Sequence, residues 1–248
     1  MRFIGTTFLL MSVLAIDCSA QNISGTIIIK KRLTRRSVTT SVSVYQRGTS
    51  VKLGNVANED PIAFERSRVV IYLEGNIAVN SSDATSSAPV EIRQINREFL
   101  PDLAVIPVGS TVSFPNMDPI FHDVYSLSKT RIFDLGAYDR GQTRRVTFTK
   151  PGIVEVYCHL HPNMAATIVV MANRYYAEPD RNGQYQIPNV PPGHYTLVAW
   201  HKTAGFFRKS IDVRSGQTVT ADFLIPLDVD SKEEAAKGRD LEHGAGSL

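Results

Sequence analysis

Three donors of soft or borderline character fall within seven residues: Cys158, His161 and Met164, spaced C-x2-H-x2-M. A thiolate, an imidazole and a thioether together suit copper, which binds N/S donor sets strongly and cycles between two oxidation states. Zinc prefers Cys, His and carboxylate donors and seldom takes a thioether. One short loop cannot enclose an ion, so a second imidazole must come from elsewhere. His122, at the end of Phe114-Pro115-Asn116-Met117-Asp118-Pro119-Ile120-Phe121-His122, is placed to supply it from a loop between two strands. A trigonal His2Cys set with a weak axial Met would then be complete.

The elements around these residues must hold them still. Val154-Glu155-Val156-Tyr157-Cys158 reads as a strand, and alternation puts Val154, Val156 and Cys158 on one inward face. Ala165–Met171 reads as a second strand, so the donors occupy the tip of a hairpin. Upstream, Leu103–Pro107 and Thr111–Asn116 read as strands about a Val108-Gly109-Ser110 turn. Phe133-Asp134-Leu135-Gly136 reads as a loop, and Val146 and Phe148 alternate in a further strand. The pattern is short strands and turns, as an all-β sandwich requires.

F-x-N-x-D-x3-H followed by Y-C-x2-H-P-x-M resembles the cupredoxins, the small blue-copper proteins, and the short ligand loop with Pro after His most resembles the amicyanin branch. The resemblance covers roughly residues 95–172. It implies a Greek-key β-sandwich holding one type 1 copper ion through His122, Cys158, His161 and Met164. It also implies single-electron transfer with a redox partner protein. Asn116 matches the family's loop-bracing asparagine, and Pro162 follows the loop His. Asp123 departs from the pattern, because these proteins commonly carry Asn there; an acid lacks that amide donor. His161 should be the ligand nearest solvent, with Pro119, Ile120, Phe121 and Pro162 as an apolar rim for docking.

His159 follows Cys158 directly, so alternation sends it away from the ion. The chain has six His, too few for an added trinuclear copper cluster. No open metal position or general-base constellation is visible, so an enzyme is not expected.

The whole chain has 248 residues, a net charge of +3 and 43% hydrophobic residues, enough for one large or two small packed domains. That charge is too mild to argue for nucleic acid. Residues 1–20 read as a secretory signal peptide: Arg2, an apolar run over Phe8–Ile16, and Cys18-Ser19-Ala20 before Gln21. The apolar run falls short of the ~20 residues a membrane span needs. This predicts a periplasmic or secreted protein with no membrane span; lipidation of Cys18 is the alternative. Removing the signal leaves one cysteine, Cys158, which in an oxidising compartment has no internal disulfide partner and is free to ligate metal.

Residues 21–80 read as an N-terminal β segment, with strands near Ile23–Lys30 and Val69–Gly75 and shorter ones around Val42, Val44, Val51 and Leu53. Residues 81–89 are a polar linker. Residues 91–172 form the copper module. Residues 173–228, with Pro191-Pro192-Gly193 turning between two strands, resemble carboxypeptidase regulatory-like (transthyretin-like) sandwiches. The N-terminal strands should belong to that second sandwich, with the copper module inserted into it. His194, Trp200 and His201 read mainly as turn and core residues. Residues 229–248 read as a disordered tail holding His243. Two other functions are compatible with the same donors: a copper carrier or storage protein without redox role, and a structural or ligand-binding sandwich with an incidental metal site.

Overall fold

The computed structural model describes residues 21–33, 60–75, 77 and 90–226. The expected signal peptide with Cys18, the short strands around Val42–Leu53, the linker at 81–89 and the tail with His243 lie outside those residues.

In chain order the elements are β1 (Ile23–Ile29), α1 (Pro61–Arg66), β2 (Val69–Leu73), β3 (Val90–Glu91), β4 (Arg93–Ile95), β5 (Glu98–Leu100), β6 (Leu103–Pro107), β7 (Thr111–Pro115), β8 (His122–Ser126) and β9 (Phe133–Tyr138). Then come β10 (Thr143–Thr147), β11 (Gly152–Cys158), β12 (Ala165–Met171), β13 (Tyr176–Ala177), β14 (Gln184–Ile187), β15 (Gly193–His201), β16 (Gly205–Val213), β17 (Val219–Thr220) and β18 (Phe223–Ile225). The described residues are all-β apart from one short helix.

Residues 90–171 make one sandwich. A five-stranded sheet runs β6-β12-β11-β8-β9 and faces a three-stranded sheet β10-β7-β3, with the β4–β5 hairpin alongside. Its core is filled by inward side chains of both sheets, among them Phe114, Val124, Tyr138, Phe148, Val154, Val156 and Ile168. A second sandwich takes strands from both ends of the described chain. β1 pairs with β14, β17 and β18, while β2 pairs with β13 and β15, so neither pairs with a strand of 90–171. β1 reaches its neighbours through Gly25, where a Cβ would sit 2.0 Å from the Ala221 carbonyl oxygen; only glycine fits that approach.

The apolar runs of β2, β12 and β15 have no polar face because both faces are buried. Ile71, Leu197 and Ala199 point into the second sandwich's core, and Ile168 and Val170 into the first. The alternate residues Val70, Trp200, Val169 and Met171 meet between the sandwiches, with Tyr72, Leu103, Val105, Ile153 and Tyr176 around them. Burying each large apolar side chain is worth about 1.5–3 kcal/mol. Arg68 and Lys202 of the second sandwich also reach Asp102 of the first, at 2.8 Å to its carboxylate and 2.8 Å to its carbonyl oxygen respectively.

Two local readings need correction, and one helix joins the strands. Phe133–Tyr138 is strand β9 rather than a loop: Phe133 and Leu135 pack inward and pairing with β8 outweighs the weak strand preference of Asp134 and Gly136. His122 opens strand β8, paired with Tyr138, instead of sitting in a loop. Helix α1 has a legible start, since the Asp60 carboxylate accepts from Ile62 N at 2.9 Å ahead of a first-turn proline.

Candidate metal centre

Strand alternation delivers Cys158, 3% exposed, into the first sandwich's core at the end of β11. The pairs Cys158↔Val124 and Tyr157↔Tyr125 lock β11 to β8 and bring the start of β8, His122, beside the thiol. The chain then turns: His159 N donates to Asp123 O at 2.9 Å and Met164 N to His161 O at 3.0 Å. Met164 returns to the core, 1% exposed, in the same cluster as Cys158.

The turn places His161 Nδ1 3.6 Å from Cys158 Sγ, while His122 Nδ1 lies 3.7 Å from it. The two rings are 4.7 Å apart, tilted by 57°. Donors bound at about 2.0–2.3 Å stand about 3.5–3.7 Å apart in a tetrahedral or trigonal set, so this spacing fits one ion. His122 is fully buried, and His161 is the more exposed of the two rings. Burial lowers the pKa of His161 below its ordinary value, and the neighbouring His122 and Arg97 add to this, with Asp118 opposing. A neutral imidazole keeps its lone pair for a metal.

Behind His122 stands a residue whose role the sequence did not reveal. Asp118 Oδ2 accepts from His122 Nε2 at 2.9 Å, so the neutral ring keeps its lone pair on Nδ1, toward Cys158. Asp118 is itself held by Asn96 N at 2.6 Å and Arg97 N at 2.9 Å. Both donors sit at positive φ, 55° and 59°, in the tight turn joining β4 to β5. Burial alone would raise the Asp118 pKa, but these N–H groups and His122 outweigh it and hold it below the ordinary value.

Asn116, fully buried, braces the stretch before His122. Its Nδ2 donates to Ile120 O at 2.8 Å and Tyr138 O at 3.0 Å, and its Oδ1 accepts from Asp118 N at 2.9 Å. Asp123 braces the ligand loop through its backbone carbonyl, while its carboxyl turns outward toward Asp134 and His159. Burial raises the Asp123 pKa, and the Asp134 carboxylate raises it further. His159 also faces outward, stacked on Tyr125 at 3.7 Å and 3.6 Å from Asp134. Pro162 is exposed beside His161. Of the residues expected to form an apolar rim, Pro119, Phe121 and Pro162 are exposed and Ile120 is partly buried; Met117 and Leu160, in the same two loops, are each about half exposed.

The three second-sandwich candidates do not converge. His194 is exposed and paired with Asp212 at 2.6 Å, Trp200 lies between the sandwiches, and His201 is fully buried 3.2 Å from Glu65.

Residues 163–221 match the family model described as polysaccharide lyase family 4, domain II. That match differs from the transthyretin-like family expected for residues 173–228, and it begins inside the ligand loop. No curated protein matches the chain. Among solved structures, a Cu(I) form of an amicyanin mutant is similar at 16% identity, covering 41% of this chain and 98% of that chain with a TM-score of 0.32. A purple cupredoxin from Nitrosopumilus maritimus is similar at 22% identity over 33% of this chain and 99% of that chain, TM-score 0.31. A Cu-containing nitrite reductase from Thermus scotoductus SA-01 is 30% identical over 39% of this chain but only 25% of that chain, TM-score 0.33.

Proposed function

We propose that this chain carries single electrons between redox partners through one type 1 copper ion held by His122, Cys158, His161 and Met164. The observation that carries the reading is the near-equal approach of His122 Nδ1 and His161 Nδ1 to Cys158 Sγ, 3.7 and 3.6 Å. When bound, copper would supply a reversible one-electron couple. The chain's own residues keep that site rigid: β8 and β11 fix two donors by sheet pairing, Asp118 fixes the His122 tautomer, and Asn116 fixes the approach to His122. A rigid donor set reorganises little between oxidation states.

All four donors come from the protein, which leaves no position for a substrate, so the reading is a carrier rather than an enzyme. His161 offers its outer edge within the rim of Met117, Pro119, Phe121, Leu160 and Pro162, and an apolar partner surface would dock there. Among the described residues no helix is long and apolar enough to cross a membrane. The leader-like first twenty residues support a periplasmic or secreted location.

The test is a visible absorption spectrum of the protein with one equivalent of Cu(II), beside Cys158→Ser. An intense thiolate-to-copper band, lost in the variant, supports the reading. Absence of the band with Cys158 shown reduced sinks it.

A further inference from the structure

Three side chains on the outer face of β15 and β16 meet through two hydrogen bonds. His194 Nδ1 lies 2.6 Å from Asp212 Oδ1, and His194 Nε2 lies 2.9 Å from Ser210 Oγ. The His194 hydrogen bond holds the Asp212 carboxyl below its ordinary pKa, so the acid is ionised. A carboxylate only accepts, so Nδ1 carries the proton that points to Asp212. In the neutral ring the lone pair of Nε2 then accepts from the Ser210 hydroxyl. Nucleophile, base and orienting acid stand in the order that activates a serine. Such a set is recognised by geometry and roles, on any fold.

Strand register builds this arrangement. His194 pairs with Asp212, and Thr196 with Ser210. Glu74 N donates to Thr196 O at 2.9 Å, so the backbone of Thr196 turns toward β2 and away from β16. Thr196↔Ser210 is therefore a non-hydrogen-bonded pair, and so, two residues on, is His194↔Asp212. Side chains of such pairs stand closest, with Cα atoms about 4.5 Å apart. The same register puts the Thr196 hydroxyl across from Ser210 on this face. It is a donor for the oxygen of a carbonyl attacked there.

This part of the face is open. Toward its other end Val70, Tyr72 and Trp200 pack between the sandwiches. His194 and Asp212 are 70% and 65% exposed. Ser210 is exposed and Thr196 partly so. An open face does not hold a long acyl chain, and water weakens each of these hydrogen bonds. The substrate that fits is a small ester with a stable leaving group, turned over slowly.

We propose that Ser210 is a nucleophile toward small activated esters, with His194 as its general base and Thr196 as donor to the developing oxyanion. Ser210 Oγ attacks the acyl carbon, and its proton passes to His194 Nε2. The bond to the leaving oxygen then breaks, and His194 gives that oxygen the proton. An alcohol departs and acyl-Ser210 remains. Water attacks the acyl carbon as His194 takes its proton. Ser210 Oγ leaves, recovers the proton from His194, and the carboxylic acid departs. Asp212 is a positioning residue that holds the Nδ1 edge of the ring. The site lies on the second sandwich and does not depend on the copper reading.

The test treats the whole chain with a fluorophosphonate, which loses fluoride to an activated serine, and locates the adduct by peptide mapping. One label per chain, on Ser210, is expected. Ser210→Ala should abolish it, and His194→Gln should slow it about a hundredfold or more. Thr196→Val should slow it about tenfold or more, while Thr196→Ser keeps the rate. Hydrolysis of p-nitrophenyl acetate should fall in Ser210→Ala. Circular dichroism checks that each variant is folded. An unlabelled Ser210 overturns the proposal, as does a labelling rate unchanged in either His194→Gln or Thr196→Val. Ester hydrolysis undiminished in folded Ser210→Ala overturns it too, because the imidazole would then be attacking by itself.

Discussion

The Asp118 carboxylate accepts a hydrogen bond from Nε2 of His122 at 2.9 Å, on the ring edge opposite the Nδ1 that faces Cys158. One contact thus sets both the orientation and the tautomer of a donor. Asp118→Ala is expected to lower copper affinity about 10–100-fold, read by competition with a chelator of known strength. Asp118→Asn, which keeps the shape and loses the charge, should fall between. Equal affinity in all three would show that His122 needs no such support.

Asn116 makes three side-chain hydrogen bonds, two of them within the segment that leads to His122 and one to Tyr138 of β9. Asn116→Ala leaves the Ile120 and Tyr138 carbonyls and the Asp118 N–H without that partner. Each buried group left unmet costs about 1–3 kcal/mol, so a loss of about 2–4 kcal/mol is expected in urea unfolding of the metal-free protein. A loss under about 1 kcal/mol would mean that the segment is braced elsewhere.

His201 couples stability to pH. Its Nδ1 accepts from Thr203 N at 3.1 Å and Ala204 N at 3.0 Å, and its Nε2 faces Glu65. Burial lowers its pKa below the ordinary value despite the pull of Glu65, and Arg68 lowers it further. The unfolded chain therefore binds a proton at this residue at a higher pH than the folded one does. Its contribution is present above the ordinary histidine range and is lost as pH falls toward the folded value. The slope approaches about 1.4 kcal/mol per pH unit at most. Unfolding free energies at about pH 7.5 and about pH 5.5 should differ less in His201→Gln than in the parent. An unchanged difference would remove His201 from the account.

Asp102 joins the sandwiches through Arg68, whose side chain is 9% exposed. Asp102→Ala leaves that guanidinium largely buried without its carboxylate, at a cost of about 1–3 kcal/mol. The chain's single tryptophan, Trp200, lies in the same junction. Its emission should move to longer wavelength in the variant at a lower urea concentration than in the parent. Superimposable transitions would show that apolar packing alone sets the junction.

Some of this was readable from local sequence and some was not. Cys158, His161 and Met164 lie in one short turn, so spacing and strand alternation suffice to bring them together. His122 is 36 residues before Cys158, yet Asn116 and Asp118 ahead of it mark its place. The support from Asp118 was not legible, because it depends on the turn at Asn96 and Arg97 closing over the loop in space. Strand β9 was hidden because Asp134 and Gly136 are poor strand formers, although Phe133 and Leu135 carry the inward alternation. The exposure of Leu127 and Ile132 was equally hidden: nothing local tells whether another part of the chain will cover them.

The pairing of β1 with β14, β17 and β18 has a consequence for biosynthesis. Residues 90–171 hold all the strands of their own sandwich, so that unit can close while the ribosome is still extending the chain. The second sandwich cannot, because β1 waits for partners made almost two hundred residues later, Ile29 opposite Ile225. Until Ile225 emerges, the backbone edge of β1 is unsatisfied and available to other chains. Early arrest of translation should therefore yield a closed 90–171 unit attached to a sticky N-terminal strand. In the nascent protein, aggregation propensity and donor-site assembly are separated in time.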